Sequence, residues 1–352
     1  MGHRIAAPVL CLLAALALSS PAARATTLID PGQGPVALAA GAAGASMLSG
    51  LAWAGGNQYY AVSDGSAALF ELEIAVDPAT GQISSASVVD SLGLAAGSDL
   101  EGLVLLGASV LASDEVGPAI REYLISDGSV AGGVAVPAIF AQARTNFSLE
   151  SLAMRVAPDP ADDALWTANE EALTVDGPLS DSTSGTVVRM QRFDTSGTPD
   201  GQWAYVTDPY PGAPFFGLER SGVADLLALP KGELLVLERS FSNQAFRARI
   251  YEVSFDGATD TTLLADLTTD PFTPVAKQLL WEVAQVTHNY EGLALGPQLA
   301  AGDRSLVLVS DDGGGAPQSL YALRLIPEPA ATLQLSAGAL VLWLTHRRRS
   351  RR

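Results

Sequence analysis

DLEGLVLLGASVLASDE at residues 99–115 and NYEGLALGPQLAAGDRSLVLVSDDG at residues 289–313 are two versions of one phrase. Each runs through an acidic residue, Gly-Leu, an apolar run, a turn, a second apolar run and a second acidic cluster. Three further stretches fit the phrase: SGLAWAGGNQYYAVSDGS from Ser49, ESLAMRVAPDPADDALWTANEE from Glu150, and SGVADLLALPKGELLVLERS from Ser221. The starts at 49, 101, 150, 221 and 291 lie 52, 49, 71 and 70 residues apart. A period near 50 points to a propeller rather than a helical solenoid.

Within each unit the apolar stretches are short, rich in β-branched and aromatic residues, and interrupted by Gly, Pro, Asn and Asp, the signature of strands and turns. Two more strand-like runs follow each acidic cluster, as in LFELEIAVD and QISSASVVDSL around Pro78-Ala79-Thr80-Gly81. Four strands per unit is the content of one propeller blade. The expected fold is therefore all-β, a β-propeller of five or six four-stranded blades, since each 70-residue interval has room for long hairpins or an unmarked sixth blade. A β-sandwich also uses short strands, but the shared phrase argues against it. A short helix is expected only around Pro274 to Val286. The last unit lacks an outer strand after SLYALRLI, and TTLIDPGQGPVALAA at residues 26–40 is the segment that would supply it. Such a closure removes exposed sheet edges.

The two ends read differently from the middle. Residues 1–25 combine His3 and Arg4, an apolar stretch from Pro8 to Leu18, and Ala23-Arg24-Ala25 before Thr26. That is the pattern of a secretory signal peptide. Cys11, the single cysteine, falls inside it, so the exported chain has no disulfide to rely on. Residues 326–352 carry Pro327-Glu328-Pro329, an apolar run from Ala330 to Leu344, and an arginine-rich tail. About fifteen apolar residues are short for a bilayer span of about 20, and the arginines favour the cytoplasmic side. This segment resembles the PEP-CTERM sorting signal of exopolysaccharide-producing Gram-negative bacteria. The resemblance implies processing by an exosortase-type protease, transient anchoring in the inner membrane, and a periplasmic, cell-surface or extracellular residence. An ordinary C-terminal membrane anchor is the alternative.

Residues 26–325, the expected propeller domain, hold 13 basic and 37 acidic side chains, a net charge of −24. Such a surface excludes nucleic acid as a partner and favours cations. If Gly-Leu opens the innermost strand of each blade and the second apolar run is the next strand out, both kinds of acid lie at one end of the central channel. They form a ring: Glu101, Glu150 and Glu291 before the glycine or serine, with Asp64, Asp114, Glu115, Glu170, Glu171, Glu238, Asp311 and Asp312 after the second strand. Crowded carboxylates raise one another's pKa, and a hard cation relieves the conflict. Calcium, with six to eight flexible oxygen ligands, suits such a set. Zinc and copper want Cys or His, and the exported domain offers His288 alone. Asp before Gly is also an ordinary turn residue, so Asp64 and Asp127 read as β-turns as well. Glu has little turn preference, which makes its repetition the stronger signal.

The phrases NYEGLALGP, LVLVSDDG and LYALRL, with ELLVLERSFS, RARIYEV and ALWTANEEAL, resemble the esterase-like-activity-of-phytase family over residues 48–325. The resemblance implies a secreted propeller acting on phosphoesters through repeated acids. Matching positions give Glu101, Glu150, Glu170, Glu238, Glu291, Asp311 and Asp312 as metal ligands. Arg220 and Arg239 would grip substrate oxygens, and Glu101, Glu291 or His288 would accept a proton from water. In the fourth unit Ser221 stands where an acid is expected before the glycine, which leaves the fourth blade's contribution open. No G-x-S-x-G and a single histidine argue against a serine hydrolase. The competing expectation is a non-catalytic extracellular propeller binding calcium or polysaccharide in the exopolymer matrix.

Overall fold

A computed structural model describes residues 26–39, 44–212, 217–242, 245–313 and 318–326. Thr26–Pro327 is one compact unit. The signal-peptide and sorting-signal readings fall outside the described residues. Among the described residues no helix is long and apolar enough to cross a membrane.

Strands β1 (Thr27–Ile29) and β2 (Val36–Ala37) precede the repeats. The first blade holds β3 (Leu48–Gly55), β4 (Gln58–Ser63), β5 (Ser66–Val76) and β6 (Ile83–Gly93). The second holds β7 (Leu100–Leu106), β8 (Ser109–Asp114), β9 (Ala119–Leu124) and β10 (Val130–Val134). The third holds β11 (Ala153–Arg155), β12 (Ala164–Ala168), β13 (Val187–Phe193) and β14 (Pro199–Val206). The fourth holds β15 (Arg220–Ala228), β16 (Leu234–Ser242), β17 (Ala245–Ser254) and β18 (Ala276–Val286). The fifth holds β19 (Asn289–Gln298), β20 (Arg304–Asp311) and β21 (Ser319–Ile326), and β1 completes it by pairing antiparallel with β21. The N-terminal segment thus supplies the missing outer strand, and β2 also pairs with β21.

The five innermost strands, β3, β7, β11, β15 and β19, stand beside one another in that order, and β19 returns to β3. The blade number is five. The 70-residue intervals hold long connections, 169–186 and 207–219 in the third unit and 255–275 in the fourth, rather than a sixth blade. Where a helix was expected around Pro274 to Val286, the chain forms strand β18, Ala276–Val286. Its register against β17 fixes it in the sheet, and tertiary pairing outweighs local propensity there.

Each gap between blades has its own core. One hydrophobic cluster joins blades one and two around Leu100 and Tyr123, the next joins two and three around Phe140 and Phe193. Others join three and four around Met190 and Val236, four and five around Ile250 and Leu308, and five and one around Leu72 and Val309. A buried side chain of this kind contributes about 1.5–3 kcal/mol, so ring closure is driven by burial at five similar interfaces.

The glycine of the repeated phrase has a direct reason. A Cβ on Gly50 would lie 2.1 Å from the Glu101 carbonyl oxygen, one on Gly102 2.1 Å from the Leu152 nitrogen, and one on Gly292 2.1 Å from the Ser49 carbonyl oxygen. Innermost backbones of neighbouring blades touch at these points, where no side chain fits. Asp225 adds a clasp: its carboxylate accepts hydrogen bonds from Leu226 N at 2.8 Å and from Leu293 N of the fifth blade at 2.7 Å.

Candidate functional site

Every innermost strand enters the channel from the same end, so the residue before each glycine and the residues after each second strand converge there. Glu101 lies in β7 and Glu291 in β19, while Glu150 precedes β11. Glu115 follows β8, Glu170 follows β12, and Asp64 follows β4. All but Asp64 are buried.

Two groups of carboxylates are close enough to share a cation. Oxygens of Glu101, Glu115 and Glu150 lie within 4.8 Å of one another, and so do oxygens of Asp64, Asp99 and Glu101. Ligands on opposite sides of a calcium ion at about 2.4 Å each are about 4.8 Å apart, so these spacings fit one ion per group. Glu101 belongs to both. Ser49, which replaces the acid in the first blade, donates its hydroxyl to Glu101. Glu115 accepts from the Ser148 backbone N–H at 2.5 Å.

Arg239 is the cation inside the ring. Its Nη2 contacts Glu170 and lies 3.9 Å from Glu150, while its Nη1 lies 3.2 Å from Glu291 and 3.3 Å from Asn289 Oδ1. Asn289 Nδ2 donates to Glu291 at 2.6 Å. A guanidinium spread over three carboxylates is tied to the protein and stays protonated. It organises the ring and has no free fork for substrate. Arg220 is freer: it stacks 4.4 Å over Phe147, its Nη1 lies 3.8 Å from Glu171, and that Nη1 has no hydrogen-bond partner.

One arginine cannot balance so many acids. Burial, and then Glu291, push Glu101 well above the usual carboxylate range, and burial followed by Glu101 does the same to Glu150. Burial and Glu170 push Glu115 up to about 8. Glu291 is raised to about 8 by burial in spite of Arg239, and Asp64 to about 7 by burial, Asp311 and Asp99. Glu171 also reaches about 8, through burial and its neighbour Glu170. Buried acids whose pKa values are pushed up, together with an Asp64 Oδ1 that meets no hydrogen-bond partner, form a cluster that could hold a cation.

The ring expected from the sequence is brought together at Glu101, Glu115, Glu150, Glu170, Glu291, Asp64 and Asp311. Asp311 is linked to the others through Arg239 and Asn289. Glu238 is not in it. Strand β16 runs on to Ser242, which leaves Glu238 mid-strand with its side chain on the face opposite Arg239. There it accepts from Tyr205 Oη at 2.5 Å, Lys277 Nζ at 2.6 Å and Asp208 N at 3.1 Å, a closed set with no need of a metal. Asp114 pairs with Arg121. Asp312 accepts from Ser310 at 2.6 Å and Ser319 at 3.1 Å and meets His288 Nδ1 at 3.0 Å, so Asp312 and His288 brace the edge of the fifth blade. Of the two turn aspartates, Asp64 faces the ring, whereas Asp127 only caps its turn through Ser129. Asp99, Ser49 and Asn289 escaped the sequence reading. The first stood in plain view within DLEGL.

A model of the family described as Phytase-like, esterase-like activity of phytase, matches residues 44–314. No curated protein matches the chain. Among solved structures, the tail fiber of Staphylococcus aureus phage P68 is similar at 10% identity and a TM-score of 0.39, over 86% of this chain and 54% of that one. Myxococcus xanthus glutaminyl cyclase is similar at 10% identity and a TM-score of 0.36, over 83% of this chain and 95% of that one. The PQQ-bound aldose sugar dehydrogenase of Streptomyces coelicolor is similar at 15% identity and a TM-score of 0.40, over 83% and 98%. At such depths likeness says nothing about activity.

Proposed function

The chain belongs to the Phytase-like, esterase-like-activity-of-phytase family, and from that premise we propose that it is a secreted phosphoester hydrolase assisted by divalent cations, with calcium the ion its carboxylates suit. The observation that carries the reading is the pair of carboxylate groups sharing Glu101 at the mouth of the channel. All-oxygen donors, carboxylate spacing and an unpartnered Asp64 oxygen favour a hard, oxygen-seeking ion. When bound, such ions would polarise phosphoryl oxygens and acidify a water.

The protein's own residues have separable tasks. Glu101, Glu115, Glu150, Asp64 and Asp99 would hold the ions. Arg239 fixes Glu170 and Glu291 and keeps them apart. Glu291, held by Arg239 and Asn289, is placed to take a proton from water once bound cations, or a pH above about 8, have ionised it. Arg220, with an unsatisfied Nη1 beside the ring, is the group available to a phosphoryl oxygen. A domain of net charge −24 repels a free phosphate, so cations are a requirement of this reading.

We place the enzyme outside the inner membrane, released or re-anchored by an exosortase-type protease, on the strength of its two ends. The test is to strip residues 26–325 with chelator and add calcium back while assaying phosphomonoester and phosphodiester hydrolysis. Turnover that rises with ion occupancy and is lost in Glu291→Gln supports the reading. Tight calcium binding without turnover would instead make the ring structural and the protein a matrix-binding module.

A further inference from the structure

At the end of the third blade remote from the carboxylates, a cavity of about 290 Å³ opens between blades three and four. The separation follows from the strands: Glu150 precedes β11 and Glu170 follows β12, whereas Arg155 ends β11 and Ala164 begins β12. We infer that this cavity is a binding site for a neutral saccharide ring.

Three aromatic residues form its floor. Trp166 stacks on Phe255 at 4.9 Å and tilts against Trp203 at 5.6 Å, and Phe255 meets Trp203 edge-on at 5.0 Å. Trp166 is buried in the core, which holds the platform rigid, while Trp203 and Phe255 are half-buried and reach the opening. Aromatic faces take up the C–H face of a pyranose at little entropic expense, because they are already fixed.

The walls carry both hydrogen-bond donors and acceptors. Arg192 lies 5.4 Å over the Trp203 ring and is held there by Asp200, at 2.8 Å. Arg155 is different. Its Nε is buried without a hydrogen-bond partner, and none of the ion pairs among the described residues includes it. In a domain where acidic side chains outnumber basic ones by 37 to 13, a half-buried guanidinium left unpaired in a cavity calls for a ligand oxygen. Asp162, Asp163, Asp194 and Asp200 share the wall and outnumber the two arginines, which disfavours an anion. A neutral polyhydroxylated ring satisfies all of them: apolar face on the tryptophans, hydroxyls donating to aspartates and accepting from Arg155. An apolar floor with convergent polar groups around it is a usual form of a small-ligand site.

The experiment titrates the purified full chain calorimetrically with cellobiose, maltose and N,N′-diacetylchitobiose, with digalacturonate as the anionic control. At least one neutral disaccharide should bind with a Kd of about 1 mM or tighter and shift tryptophan emission. Arg155→Gln should weaken that binding by ten-fold or more, and Trp203→Ala should do the same with loss of the emission shift. Arg155→Lys, which keeps the charge without the planar fork, should recover part of it. Arg155→Gln should leave calcium binding at the other end unchanged. No binding by any neutral disaccharide, binding indifferent to both Arg155→Gln and Trp203→Ala, or binding by digalacturonate alone would overturn the inference.

Discussion

The guanidinium of Arg239, on the fourth blade, hydrogen-bonds the carboxylate of Glu170, on the third, and the same side chain reaches Glu291 of the fifth at 3.2 Å. One arginine thus ties three blades at the mouth of the channel. Removing it leaves buried carboxylates uncompensated, so Arg239→Ala should cost about 3–5 kcal/mol of stability in the metal-free protein. Urea denaturation with chelator present measures this, and a loss below about 1 kcal/mol would show the ring to be held by other means.

Glu115 and Glu291 are raised to about 8 and Asp64 to about 7, whereas the unfolded chain titrates its acids near 4. Between those limits the folded state keeps protons that the unfolded state has released. Stability is therefore fully present below pH 4 in this term and falls as pH rises through 7 to 8. The chelated protein should melt lower at pH 8.5 than at pH 5.5, and excess calcium should reverse the order. Calorimetric scans at both pH values, with and without the ion, decide it.

Glu101 serves both carboxylate groups, so Glu101→Gln should weaken calcium binding by at least ten-fold, about 1.4 kcal/mol, without lowering the metal-free melting temperature. Glu238→Gln should behave in the opposite way. It loosens Lys277 and Tyr205 and should destabilise the fold by about 1–3 kcal/mol while leaving calcium affinity intact. Equal effects of the two variants on calcium affinity would place Glu238 back among the ligands.

Gly102→Ala puts a methyl group 2.1 Å from the Leu152 nitrogen, where only backbone lies opposite. Overpacking of this kind costs about 1–3 kcal/mol or more. Gly107→Ala is the matched control for chain position, since Gly107 has open space around it although its φ of 61° adds strain of its own. The denaturant midpoint of Gly102→Ala should fall further than that of the control.

Truncating residues 26–31 removes β1 and with it the partner of Leu325 and the Asp30 carboxylate that Tyr321 bonds. An unpaired outer edge on the fifth blade should lower the melting temperature and promote association. Light scattering on the truncated and intact domains measures the second effect, and an equally monodisperse truncated protein would argue against closure through this strand.

Much of the fold was legible because burial is periodic in sequence. The phrase repeats because each blade repeats, its glycine recurs because backbones meet at the axis, and Glu101, Glu150 and Glu291 recur because that position opens onto one end of the channel. Residues 26–40 could be matched to the vacant outer strand because the fifth unit visibly lacked one. The blade count was less legible. Loop length carries little free-energy penalty, so 70 residues accommodate four strands with long connections as easily as more strands with short ones.

Glu238 marks where sequence reading stops. Its run, ELLVLERS, looks like the others, yet β16 extends to Ser242 and places Glu238 inside the sheet rather than past its end. Side chains alternate faces along a strand, so a one-residue difference decides between Arg239 in the ring and Glu238 beside Lys277. Arg239 was expected to hold substrate, but its three carboxylate neighbours come from blades 69, 89 and 52 positions away in the chain. The sequence by itself determined the repeat, the closure and the supply of acids. Which acids meet, which are neutralised and which wait for a cation was decided only by tertiary structure, because charge interactions depend on distance and burial across blades, and neither is encoded locally.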